Sequence, residues 1–225
     1  MNIFNCIVIF IIFQITVNNS IGQKFYTSFS TGKWNPSEWI LVKSPRWDHF
    51  GGWIQRDYFI ENEIPPGSKP EELIGKYAHK TYTSMVLNRK FNLNITISST
   101  MEFADRMAPI IVIAPDLGKD KKGRNEYREH FEIAIFDQGV NVWHHYFKDG
   151  KPSWKKAAYF RFKLKPNTKY TLKTKLTQQK TSKMLSVFVD GHEMGYIDDL
   201  LPNNFYVGIT GCEGINRFYD FHVEK

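Results

Sequence analysis

The sequence has little cysteine, almost no helical periodicity and, over its first 22 residues, no charged side chain. Cys6 and Cys212 are the only two cysteines in 225 residues, so neither a disulfide framework nor a thiolate metal cluster can organise the chain. No repeat with a period of about 20–50 residues is present. No Ser/Gly/Pro-rich linker divides the chain. It carries no phosphate-binding Gly-x-x-x-x-Gly-Lys loop, no Gly-x-Ser-x-Gly elbow and no dinucleotide fingerprint, which removes the commonest nucleotide-dependent and serine-hydrolase chemistries.

The missing charge at the start has its own meaning. From Ile3 to Val17 the chain is apolar, interrupted only by Asn5, Gln14 and Thr16, and small Ser20 and Gly22 follow. This pattern predicts a cleaved signal peptide over 1–22 with Gln23 as the new terminus. An apolar run of about 15 residues is short for a bilayer span of about 20. The expectation is therefore a secreted or periplasmic protein with no stable membrane span once the leader is removed. Cys6 leaves with it, and Cys212 reads as a buried small hydrophobe. The remainder, 23–225, is expected to form one domain.

What the chain does have is aromatic and strand-forming sequence. Hydrophobic residues make up 42% and aromatic residues 16%, with a net charge of +7, which excludes disorder. Leu93, Ile95, Ile97, Met101 and Phe103 share one parity against Asn92, Asn94, Thr96, Ser98, Thr100 and Glu102. Ala158, Phe160, Phe162 and Leu164 repeat the pattern against Tyr159, Arg161 and Lys163. Alternation with period two marks strands with one buried face. Further strands are predicted at 53–61, 82–87, 109–114, 126–137, 140–147, 169–177, 184–190, 205–210 and 217–224. Asp149-Gly150, Asp190-Gly191, Pro166-Asn167 and Pro202-Asn203-Asn204 supply the turns. A short helix fits 69–74, with Pro70 in its first turn. The segments 62–80 and 115–125 read as loops around a binding face. The fold class is all-β, a two-sheet antiparallel sandwich.

The order of features in the C-terminal half carries a resemblance. Lys169-Tyr170-Thr171-Leu172-Lys173 precedes Leu185-Ser186-Val187-Phe188-Val189-Asp190-Gly191. Then come Phe205-Tyr206-Val207-Gly208-Ile209 and the closing Phe218-Tyr219-Asp220-Phe221-His222-Val223. This resembles the concanavalin A-like lectin/glucanase superfamily, and within it small secreted domains of bacterial polysaccharide-utilisation systems. The resemblance implies a jelly-roll and a carbohydrate ligand on a concave sheet face. Glycosidases of this fold carry carboxylates at alternating positions of one strand. The nearest stretch here is 132–137, where Glu132 and Asp137 have opposite parity. Arg128-Glu129-His130 and Tyr146-Phe147-Lys148-Asp149-Gly150 echo fragments of alginate-lyase-like members.

The candidate site grows from the strand over 126–137. With Phe131, Ile133 and Ile135 as the core parity, Arg128, His130 and Glu132 share the other face, about 7 Å between successive members. A guanidinium can hold a uronate carboxylate through a bidentate fork. An imidazole exchanges a proton near neutral pH, and a carboxylate orients it or acts as acid. In the next strand two registers are open. If Val140 and Val142 are core, Asn141, Trp143 and His145 join this face. If Trp143 and Phe147 are core, His144 and Tyr146 join it instead, giving a His–Tyr pair suited to β-elimination. His144 and His145 point to opposite faces of a strand and cannot easily share an ion, so neither a metal nor another cofactor is expected.

Catalytic candidates are thus His130, Glu132, Arg128, His144, His145 and Tyr146. Substrate-binding candidates are Trp143, Asn141, Arg106, Trp53 and Trp47. For hydrolysis, Glu102 and Glu213 are the candidate partners of Glu132. The basic balance of an exported protein points to an anionic polysaccharide rather than nucleic acid. The expected function is binding and cleavage of an acidic polysaccharide, by lyase or hydrolase chemistry. The alternative is a non-catalytic carbohydrate-binding module.

Overall fold

A computed structural model describes residues 24–75 and 77–225. The signal-peptide reading over 1–22, Cys6 and the terminus at Gln23 lie outside the described residues. Two large antiparallel sheets face each other across one apolar core. The front sheet runs, edge to edge, Lys151–Arg161, Gly139–Lys148, His130–Phe136, Met107–Ala114, Asn204–Gly211, Thr83–Leu87 and Trp39–Leu41. Phe91–Asn92 also pairs with Asn204–Gly211. The back sheet runs His192–Ile197, Lys183–Val189, Tyr170–Gln178, Ile95–Phe103, Asn216–Phe218, Ile60–Asn62 and Trp53–Gln55. Phe25–Ser28 and Asp220–Glu224 pair beside it. This is the two-sheet sandwich expected from the alternation, in the jelly-roll form that the resemblance implies. Among the described residues no helix is long and apolar enough to cross a membrane.

Alternation builds the core from both sides. Ile95, Ile97, Met101 and Phe103 from the back sheet meet Phe131, Ile133, Ile135, Val140 and Val142 from the front, all essentially inaccessible. Ala158, Phe160 and Phe162 pack against the same cluster, and Leu164 is buried in it. Two hairpins turn where both central residues must adopt positive φ. Asp149 and Gly150 lie at φ 51 and 74, and Asp190 and Gly191 at φ 49 and 74. Asp-Gly tolerates that geometry, and its twist matches the strands it joins. Helix Pro70–Leu73 falls within the predicted 69–74.

The front sheet departs from simple alternation. His130–Phe136 is buried at every position, and Met107–Ala114 at all but its first. A second apolar cluster of Ala78, Tyr82, Ala108, Ile110, Ala134 and Cys212 covers part of its outer face. A third, with Val42, Val86, Val112, Ala114 and Tyr127, covers another part. The near-continuous run Ile110-Ile111-Val112-Ile113-Ala114 is the sequence mark of a strand buried on both sides.

Three predicted strands are divided. The segment 53–61 is a hairpin of Trp53–Gln55 with Ile60–Asn62. The segment 217–224 is two strands, Asn216–Phe218 and Asp220–Glu224. The stretch 126–137 breaks after Asn125–Tyr127, which pairs with Leu117–Lys119, a strand in the segment 115–125 expected to be a loop.

Candidate functional site

Cross-strand register assembles the site. His130 lies opposite His145, Glu132 opposite Trp143 and Ala134 opposite Asn141. Directly opposed residues of an antiparallel pair share a face, so all six point outward from the core. The first of the two registers considered for Gly139–Lys148 is therefore the one present: Val140 and Val142 are core. His144 pairs with Phe131 on the inner side and stacks on its ring at 4.4 Å, with Nε2 2.7 Å from Glu129 Oε1. Adjacent His144 and His145 do face opposite ways.

Glu132 is the centre of the outer cluster. Tyr82 donates its hydroxyl to Oε1 at 2.9 Å, and His145 Nε2 lies 3.1 Å from Oε2. His130 Nε2 approaches Oε1 at 3.4 Å. The imidazoles of His130 and His145 stack with centroids 4.5 Å apart, and Tyr127 stacks on the far side of His130 at 4.3 Å. Burial by itself would raise the Glu132 carboxyl. The hydrogen-bonded His145 and the close approach of His130 outweigh it and hold the group well below the usual carboxylate range. Burial, helped by the neighbouring His145, lowers His130 to about 4 against the pull of Glu132. Burial and the Glu132 charge raise the Tyr82 phenol. Near neutral pH the cluster thus holds a carboxylate, a neutral His130 and a protonated tyrosine.

Glu132 and His145 open onto a cavity of about 400 Å³. Trp47, Trp143 and Trp154 stand in its wall, and Arg46 lies over two of them, its guanidinium 4.4 Å from the Trp47 ring centre and 4.0 Å from that of Trp154. Asn141 lines it with a buried Oδ1 that has no hydrogen-bond partner. Ala78 and His79, from the short helix Ala78–Thr81 that the segment expected to be a loop forms with Pro70–Leu73, close another side.

Glu213 lines the same cavity. Its backbone sits at φ 55, uncommon for a residue with a Cβ. Its N–H is anchored on Thr81 Oγ1 at 3.0 Å. Burial raises its carboxyl above the ordinary value, and the field of Glu132 adds to this against the opposing pull of Arg46. The surroundings thus push the wall carboxyl up and the floor carboxyl down. Cys212 beside it is buried, and burial raises its thiol, as befits the apolar role expected of it.

Other predicted residues stand apart. Arg128 follows the strand break and reaches Glu126 Oε1 at 3.1 Å and the Lys119 carbonyl at 2.8 Å. It lies across Gly118, where a Cβ would come within 2.0 Å of its Nε. The expected row of Arg128, His130 and Glu132 is therefore broken at its first member, because the regular strand begins only at His130. With Tyr146 and His144, Arg128 lines a separate cleft. Trp53 belongs to the back sheet, edge-on to Phe218 at 5.4 Å. Arg106 pairs with Asp137 at 3.3 Å and does not line the cavity. Glu102 lies in the back sheet, bound by Arg217 and by Tyr219 at 2.9 Å. Arg46 and Tyr82 are not picked out by the sequence reading, although the pairing Arg46-Trp47 is visible there.

No family model matches the sequence, and no curated protein does. Solved structures do resemble it. A carbohydrate-binding module from Bacillus subtilis superposes with a TM-score of 0.55 at 14% identity, covering 84% of this chain and 96% of that one. A β-porphyranase from the human gut bacterium Bacteroides plebeius gives 0.57 at 10% identity, covering 90% and 92%. The κ-carrageenase of Pseudoalteromonas carrageenovora gives 0.54 at 9% identity, covering 94% and 99%. At such identities the likeness is one of fold: the chain is a concanavalin A-like jelly-roll sandwich.

Proposed function

We propose that the protein is an exported carbohydrate-active enzyme that binds an acidic polysaccharide in the front-sheet cavity and cleaves it by acid–base chemistry. One observation carries the reading: a buried carboxylate, held by Tyr82 and His145, forms the floor of a tryptophan-walled cavity that contains a second carboxylate, Glu213, whose surroundings push its titration in the opposite direction. Flat indole faces suit the C–H surfaces of sugar rings. Two titratable groups driven apart by their surroundings are the usual basis of an acid–base division of labour. The floor around Glu132 and His145 supplies the base, and Glu213 the proton donor. Arg46, not Arg128, is the guanidinium placed to meet a substrate carboxylate, and its stacked position fixes the direction of its donors. Neighbours of this fold include a porphyranase and a carrageenase, which supports cleavage of a glycan. Export rests on the uncharged apolar leader.

A second reading, a non-catalytic binding module, has support in the likeness to a carbohydrate-binding module. Incubation of the purified protein with a panel of neutral and acidic polysaccharides separates the two. Chain length and ultraviolet absorbance of unsaturated uronates are followed together. Shortening without new absorbance is the result expected of hydrolysis between Glu132 and Glu213. New absorbance assigns β-elimination instead, with Arg46 on the uronate. Binding of a polymer with no product, in the wild type and in Glu213→Gln alike, overturns the enzyme reading and leaves the module.

A further inference from the structure

We propose that His130, Glu132 and His145 form a binding site for a divalent transition-metal cation of the zinc class. The donor atoms of the three side chains lie within 4.8 Å of one another. Two of the separations are already short: 3.1 Å from His145 Nε2 to one carboxylate oxygen, and 3.4 Å from His130 Nε2 to the other. A tetrahedral cation with ligand bonds of about 2.0–2.1 Å needs donor edges of about 3.3 Å.

The second observation is the state of His130. It is 1% exposed, and neither ring nitrogen has a hydrogen-bond partner. A buried imidazole with both nitrogens unmet is costly in an interior whose polar groups are otherwise paired. A cation at this point takes up the Nε2 lone pair. The ring cannot readily turn to a different partner, because Tyr127 and His145 stack on its two faces.

The donor set selects the ion. Two imidazoles and one carboxylate suit zinc or cobalt, whereas calcium and magnesium take oxygen ligands. All three ligands stand on two adjacent strands of a buried sheet, which gives the rigidity such a site requires. The Tyr82 hydroxyl on Glu132 Oε1 orients the carboxylate from outside the ligand set. Glu132 and His145 also line the cavity, so the remaining coordination position faces it.

The place of the cation does not depend on whether the protein cleaves anything; only its use rests on the reading above. In that use the polarity of the site is unchanged. A cation held there by His130, Glu132 and His145 would supply Lewis-acid chemistry, making a bound water easier to deprotonate, while Glu213 would remain the proton donor.

The test is direct binding. Full-length protein, stripped with a chelator, is titrated with ZnCl2 by calorimetry and with CoCl2 by visible absorption. One equivalent of Zn2+, and the visible bands of tetrahedral Co2+, are expected. Affinity should fall about 100-fold or more in Glu132→Gln and in His130→Phe, which keeps the volume and the stacking. His222→Ala, on the other sheet, should bind as wild type, and circular dichroism checks that each variant is folded. Absence of Zn2+ uptake, or uptake unchanged in both site variants, overturns the proposal. Zn2+ uptake without cleavage of any polymer leaves this site standing and removes the enzyme reading. Cleavage by stripped protein that takes up no Zn2+ does the reverse.

Discussion

The outer faces of the two sheets begin from the same rule and end differently. On the back sheet, Tyr170–Gln178 alternates buried and exposed, and Thr171, Lys173 and Lys175 stand in solvent. On the front sheet, His130–Phe136 is buried on both faces, because the 40s segment, the helix Ala78–Thr81 and the small ladder at 117–127 lie over it. Each outer face also holds a buried carboxylate with a tyrosine at 2.9 Å: Glu102 with Tyr219, Glu132 with Tyr82. The difference lies in the compensating group. Arg217, a permanent cation, neutralises Glu102, with Glu61 also beside it. Glu132 has only titratable histidines, and it opens onto a cavity. A carboxylate locked to arginine has little freedom to exchange protons or ligands. One balanced by imidazoles retains both.

The most severe test of this contrast exchanges each carboxylate for its amide. Glu132→Gln should lower turnover by about 10³-fold, roughly 4 kcal/mol of barrier. The amide still meets Tyr82 and His145, so the melting temperature should stay near wild type. Equal activity in the variant would make Glu132 a packing residue like Glu102. Next in size is acid sensitivity. His130 titrates at about 4 in the fold against 6.5 in an unfolded chain. Between those values the unfolded chain binds a proton that the folded one refuses, so stability should fall as pH drops from 6.5 to 4 and this contribution should level off below. The loss is on the order of 3 kcal/mol at most. Urea denaturation of chelator-stripped protein at the two ends of this window reads it, and His130→Phe should shrink the difference.

Glu102→Gln should do the opposite of Glu132→Gln: cost about 2 kcal/mol of stability by leaving Arg217 short of a partner, and leave turnover unchanged. A fall in activity there would bring the back sheet into the site.

How far these two faces were legible in sequence follows from the same contrast. The alternation of 95–103 shows a wet face and a dry one, and it reads correctly because water is one of the two environments. In 130–136, His130 and Glu132 do share a face away from Phe131 and Ile133, but period two says nothing about what covers that face. Arg128 was placed on it because one strand was carried through the break at Arg128 and Glu129, and only the contact with Gly118 shows why it turns away. For 139–148 both parities were chemically plausible; register with His130–Phe136 chose between them, and register is a tertiary property. Tyr82, Arg46 and Glu213 come from three distant segments, and nothing local to any of them points to the others. Glu213 could be named only as one of two possible partners.

The smallest expected effect closes the comparison from the other side. Lys173 and Lys175 on the back face border a shallow polar hollow with Thr171 and His192. They carry part of the net charge of +7 and so part of the long-range attraction for an anionic polymer. Exposed at the sheet surface and without the enclosure of the front cavity, they can steer but not select. The double substitution Lys173→Glu, Lys175→Glu should change stability by less than about 0.5 kcal/mol. At moderate salt it should leave polymer affinity within about twofold, since screening removes most of a distant charge's effect. Titration at low and moderate ionic strength distinguishes the two contributions: a loss confined to low salt is steering, as expected. A tenfold loss that persists at moderate salt would mean that the polymer lies on the lysine-bearing back sheet, and the front cavity would then need a different occupant.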